Sequence, residues 1–173
     1  MQQRSSDWLI ADFFTHSYRI SGRIRVHTQK LADQLNSQTT SFVELEDVYV
    51  SNIERAADIV ASQDYSILKK DNIIAVVVAR REDGLPREHT YGSYFGAHLR
   101  QAFLTVPSFE IQGKIRFSGK LDLRTVLTSG TDDFISILDG EMRLSIRPEV
   151  SFTGGAILVN KADIGAFWVE ERT

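Results

Sequence analysis

The phrase SYRISGRIRV at residues 17–26 returns in altered form as SFEIQGKIRF at 108–117, and this repetition limits the possible folds more than any other feature of the chain. Sliding the sequence along itself by 91 positions pairs Tyr18, Ile20, Gly22, Ile24 and Arg25 with Phe109, Ile111, Gly113, Ile115 and Arg116. One inserted residue later, Leu31, Leu35, Phe42, Val43, Leu45, Asp47 and Val50 fall on Leu123, Leu127, Phe134, Ile135, Ile137, Asp139 and Met142. KDNIIAVVV at 70–78 then meets KADIGAFWV at 161–169. Three blocks in the same order point to two diverged copies. Their period is too long for a solenoid unit of about 20–50 residues, so the expectation is two tandem domains, 1–83 and 91–173. The connector falls at 84–90, where Gly84, Leu85 and Pro86 sit between charged residues.

Within each copy the same elements are expected in the same order. SSDWLIADFF, with Ser5 or Ser6 as cap, and SYFGAHLRQAF, with Ser93, read as short opening helices docked on their own copy. The duplicated phrase follows as a strand, because Tyr18, Ile20, Ile24 and Val26 alternate with Arg19, Ser21, Arg23 and Arg25. Gly22 and Gly113 fall on its apolar phase, which suits a sharp bend or bulge. KLADQLNS and DLRTVLTS each give a turn of helix, and SFVELEDVYV and DFISILDGEM read as second strands. The copies then diverge: the first is expected to hold a helix at 53–61, the second a hairpin turning through Thr153, Gly154 and Gly155. Both close in an apolar strand. The fold class is therefore mainly β with short helices (α+β), as two tandem, small barrel-like units of the Sm-like or OB-like kind. Units of this size hide only about 60% of their extended-chain surface, and open barrels leave strand edges, so pairing or assembly is expected.

Composition narrows the function classes. The net charge of −3 is spread evenly, with 10 Lys and Arg against 12 Asp and Glu in 1–83 and 10 against 11 in 84–173. Neither half is a basic module, which disfavours nucleic acid as a partner without removing it. Cysteine is absent, so disulfides, thiolate metal sites and Cys nucleophiles are excluded. The longest apolar runs, such as IIAVVVA at 73–79, fall well below the roughly 20 residues of a membrane span, and no signal peptide opens the chain. A cytoplasmic location is expected.

The stretches RTVLTSGTDDFISILDGEMRL at 124–144 and AILVNKADIGAFWV at 156–169 resemble a family of uncharacterised bacterial proteins with L-x-x-x-L-N, F-x-x-L-x-D and V-N-K-x-x-I patterning. The first copy keeps LADQLN and FVELEDV but has LKKDNI in place of the V-N-K phrase, and the second has Thr128 where Asn36 stands. The resemblance implies a small β fold without an assigned activity, and it carries no functional residues.

Catalytic patterns are sparse. None of His16, His27, His89 and His98 stands in a metal-protease arrangement, and His16 and His27 align with Pro107 and Ser118, so surface histidines are the simpler reading. Carboxylates cluster at Glu44, Glu46 and Asp47 and at Asp132, Asp133 and Asp139; the shared Asp47 and Asp139 are expected to cap turns near strand ends. No G-x-S-x-G, Walker A or G-x-G-x-x-G sequence occurs, and no catalytic residue, metal or cofactor is assigned. The strongest binding hint is the polar phase of the duplicated strand, with Arg19, Arg23 and Arg25 in one copy and Lys114 and Arg116 in the other. Residues two apart share a face, where cations meet phosphates or an acidic partner, although alternating charge also marks an ordinary solvated face. Arg19 and Arg23 reproduce half of a cyclic-dinucleotide-binding PilZ motif, but VYVSNI does not supply its other half. Three functions follow: a non-enzymatic interaction or assembly module, a small-barrel binder of RNA or an anionic nucleotide, and an enzyme with a site between the copies. The first is preferred, with a protein partner or self-association as its consequence.

Overall fold

The computed structural model describes residues 7–87, 98–117, 122–128 and 130–170. They form one ten-stranded antiparallel sheet with short helical turns. The strands are β1 (Trp8–Phe14), β2 (Tyr18–Arg25), β3 (Phe42–Asn52), β4 (Arg55–Lys69) and β5 (Ala75–Val78), then β6 (His98–Val106), β7 (Phe109–Phe117), β8 (Phe134–Leu144), β9 (Arg147–Asn160) and β10 (Ala166–Val169). Helix α1 (Leu31–Asn36) joins β2 to β3, and α2 (Leu123–Thr128) joins β7 to β8. Across the sheet the order is β10-β6-β7-β8-β9-β5-β1-β2-β3-β4. The same arrangement thus occurs twice: a four-strand meander whose first strand also pairs with the fifth. The sheet does not close on itself, and β10 and β4 are its two edges.

Alternation explains the central strands. Phe13 and Phe14 are neighbours in β1 and both fully buried, so they enter opposite faces of the sheet. Phe13 joins a cluster with Ile24, Leu35, Leu45, Val76 and Leu158, while Phe14 joins another with Val77, Leu104, Phe109, Ile111 and Ile157. Phe14 meets Phe109 edge-on at 5.6 Å and Phe152 at 4.7 Å between ring centroids. Strand β5, in the first half, pairs with β9, in the second, with Ala75 opposite Val159, Val76 opposite Leu158, Val77 opposite Ile157 and Val78 opposite Ala156. All eight of these residues are buried. Odd and even positions feed different clusters, so each core takes side chains from both halves.

Several expected elements differ. Trp8–Phe14 and His98–Val106 are strands where helices were expected; residues 93–97 of the second segment lie outside the described residues. Apolar side chains on both phases imitate a helix face; in β1 the phases enter different cores through Phe13 and Phe14, whereas in β6 only the phase of Ala102, Leu104 and Val106 is buried. Residues 53–61 form no helix either: β4 starts at Arg55 and runs through them. The hairpin between β8 and β9 turns at Ser145 and Ile146, and Gly154 and Gly155 lie inside β9. Their place there is steric, since a Cβ on Gly155 would come within 2.4 Å of the Arg81 backbone and one on Gly154 within 2.5 Å of the Val78 carbonyl. Gly84 and Leu85, at the start of the expected connector, are buried, whereas residues 88–90 are not described.

Candidate functional site

The glycines of the duplicated phrase mark a bulge. Between Ser21–Tyr49 and Arg23–Glu46 the register shifts, so that Gly22 faces two residues, Asp47 and Val48, and Gly113 likewise faces Asp139 and Gly140. Asp47 and Asp139 hold the left-handed φ that such a bulge requires, +50° and +47°. They lie within strands, not at the expected strand ends. A bulge re-aims the side chains beside it, and both aspartates turn toward the basic residues of the neighbouring strand.

Arg23 lies 2.9 Å from Asp47 and 3.3 Å from Glu46, and Arg19 bonds Asp12 at 2.9 Å. Arg23 and Arg25 also cover the Trp8 ring, at 4.5 and 4.8 Å, and Arg19 lies over Phe152. Lys114 stands 4.0 Å from Asp139, which Arg81 holds in a short ion pair, and Arg116 pairs with Leu99 across β6 and β7. The fold brings Arg23 and Arg25 together on Trp8 but separates them from Lys114 and Arg116. Five strand spacings, about 24 Å, lie between β2 and β7 along the sheet. Much of the basic stripe is neutralised in place, which leaves little cation for a phosphate.

Beside Trp8 a hollow of about 510 Å³ is lined by Arg25, Gln34, Thr40, Phe42, Glu46 and Tyr65, among others. Near it the buried Lys70 ammonium donates to the Ser37 and Thr40 carbonyls and to Thr40 Oγ1 at 2.9–3.0 Å. Burial lowers its pKa, with Asp133 opposing, and three acceptors for three protons make it a structural group. Asp163 is pushed above the usual carboxylate range by burial, with His16 acting against the shift. His27 pairs with Asp7 at the surface and His98 is exposed, whereas His89 lies outside the described residues. Among the described residues no group of three potential metal ligands converges, and no helix is long and apolar enough to cross a membrane.

Exposed apolar side chains gather instead at the sheet edges. Strand β4 exposes Ile59, Val60, Tyr65 and Ile67, and β10 exposes Trp168, each more than half accessible. Among the described residues no strand pairs with their outer backbone groups. A long apolar edge is a template for a further strand. These residues were not singled out from the sequence, although YSIL at 65–68 carries apolar residues on both phases, the mark of a strand covered on both faces. Comparison of the chain with protein-family models, with curated proteins and with solved structures returned no match.

Proposed function

We propose that this chain is a non-enzymatic assembly module: two small barrel-like β units in tandem, whose work is to hold protein subunits together through strand edges. One observation carries the reading. The edge strand β4 is 15 residues long and contains no proline. Its N-terminal part is charged and bulged, with Asp58 exposed and the register on β3 shifting at Val60, whereas from Ala61 to Lys69 the register is regular and Tyr65 and Ile67 are presented to solvent as an edge that a further strand can use. The neutralised stripe supports the same preference by weakening the rival nucleotide-binding reading.

Native mass spectrometry with sedimentation over a range of concentrations tests the proposal. The expected result is an oligomer, or a retained protein whose binding is lost when Ile67 is replaced by Asp. A chain that is monomeric throughout and holds no protein overturns it. RNA or an anionic nucleotide remains the second reading because Arg23 and Arg25 gather over the Trp8 ring, placing two cations and an aromatic side chain together. Salt-dependent binding of a single-stranded oligonucleotide, lost on reversing both charges, would move the function there.

A further inference from the structure

Resting on the assembly reading, we infer that the edge-strand partner is a second copy of this chain, whose β10 pairs with β4 in the register that β5 already uses on β9. The joint inside the molecule is the template. Alignment of the two halves places Ala75–Val78 on Ala166–Val169. It also places β4 on β9, because Phe42 pairs with Lys69 as Phe134 pairs with Asn160, and Val43 with Leu68 as Ile135 with Val159. Copying the inner register onto the free edges sets Ala166 opposite Leu68, Phe167 opposite Ile67, Trp168 opposite Ser66 and Val169 opposite Tyr65.

Exposure at these positions has the pattern of a missing half. In the inner joint Val77 of β5 leaves its own core for that of β9, and Ala156 and Leu158 of β9 enter the core of the first half. Their counterparts are Trp168, Tyr65 and Ile67, which are 51%, 52% and 54% exposed. The intervening positions serve their own cores and are covered already: Phe167 and Val169 pack on the second cluster, and Leu68 is buried in the first. Trp168 stacks on Phe103 at 4.4 Å and the Tyr65 hydroxyl donates to Glu44, and the surface that each still exposes, with that of Ile67, is what the template would cover. Helix α2 tells the same story. Its counterpart α1 buries Leu31, Ala32 and Leu35 and bonds the start of β8 through Asn36 Oδ1 and the Phe134 N–H, whereas α2 buries none of its residues.

The occupant is a second copy because each chain carries both complementary edges, and neither edge can reach the other around an open sheet. The contact joins different surfaces and repeats, so it produces a ring where the rotation per chain closes and a filament where it does not. One pairing opposes it: Gly155 donates to the Ala79 carbonyl in the inner joint, and the corresponding pair is Asp64 with Glu170. Like charges directly opposite weaken a strand pair. Self-association is therefore expected to strengthen as salt rises from about 0.05 to about 0.5 M, over which screening becomes effective.

Cysteine cross-linking tests the register, and the chain has no cysteine of its own to interfere. A protein carrying Ser66→Cys and Trp168→Cys is expected to oxidise into a ladder of covalent oligomers. Cα atoms of paired strands, about 4.5–5.5 Å apart, lie within disulfide reach. The two sites are on opposite edges of the sheet, so every link is between chains. A control with Gln63→Cys and Trp168→Cys, three residues out of register, is expected to give little ladder. Glu170→Gln in the otherwise unaltered chain provides a second measurement that keeps Trp168, and tightens association about two- to fivefold, the effect of removing one like-charge pair. Oligomers without a register-specific ladder overturn the inferred joint while leaving the assembly reading intact. A monomer that retains a different protein on β4 also overturns the joint alone; a monomer retaining nothing overturns both.

Discussion

At the scale of single residues, the two glycines of the repeated phrase occupy equivalent positions under different constraint. A Cβ on Gly113 would fall 2.6 Å from Ile137 Cγ2 and 2.7 Å from the Leu138 carbonyl, whereas on Gly22 the closest atoms are at 3.4 Å. Gly113→Ala is expected to cost about 1–3 kcal/mol, the usual range for overpacking, and Gly22→Ala under about 1 kcal/mol. Urea denaturation of both variants measures the difference. The bend itself was legible, since a glycine stood mid-strand on the apolar phase twice. The aspartates opposite were not, because a left-handed φ inside a strand leaves no trace in a D-V or D-G dipeptide beyond what a turn would leave. Nor was the pairing of Arg23 with Glu46 and Asp47, which depends on the register the bulge sets.

Among elements, the strands of the duplicated phrase and those that follow it were legible, and the opening strands and β4 were not. β2, β3, β7 and β8 match the expected strands, and α1 and α2 match the expected helical turns. β1 and β6 read as helices because WLIADFF and HLRQAF place apolar residues without strict alternation. β4 was half lost to an alanine-containing stretch with helical propensity, which tertiary pairing overrides. The two helices also differ in a way their shared leucines conceal. Leu35 is fully buried in the first core, while Leu127 is partly exposed. Leu35→Ala is therefore expected to destabilise by about 2–5 kcal/mol and Leu127→Ala by about 1 kcal/mol or less, as thermal melts will report. A Leu127 cost equal to that of Leu35 would mean that α2 is more deeply seated than it is here.

For the whole molecule, duplication was legible and its junction was not. The sequence pattern implied two domains with separate cores, but Phe14, Ala75 and Val77 of the first half lie in one cluster with Phe109 and Ile157 of the second. Shared clusters and the β5–β9 pairing lead us to expect that the two halves unfold together. The two tryptophans allow a direct check, since Trp8 lies in β1 and Trp168 in β10. Single-tryptophan variants, Trp8→Phe and Trp168→Phe, are expected to give coincident fluorescence transitions in urea, the mark of two-state unfolding. Separate midpoints would show that the halves unfold independently. The joint between β5 and β9 has one more consequence, for numbers rather than strength. Because both strands are encoded in one chain, every molecule made carries one β4 edge and one β10 edge, in a ratio that expression level cannot disturb. Two separately synthesised subunits would need matched production to avoid leaving one surface in excess; here stoichiometry is fixed at translation.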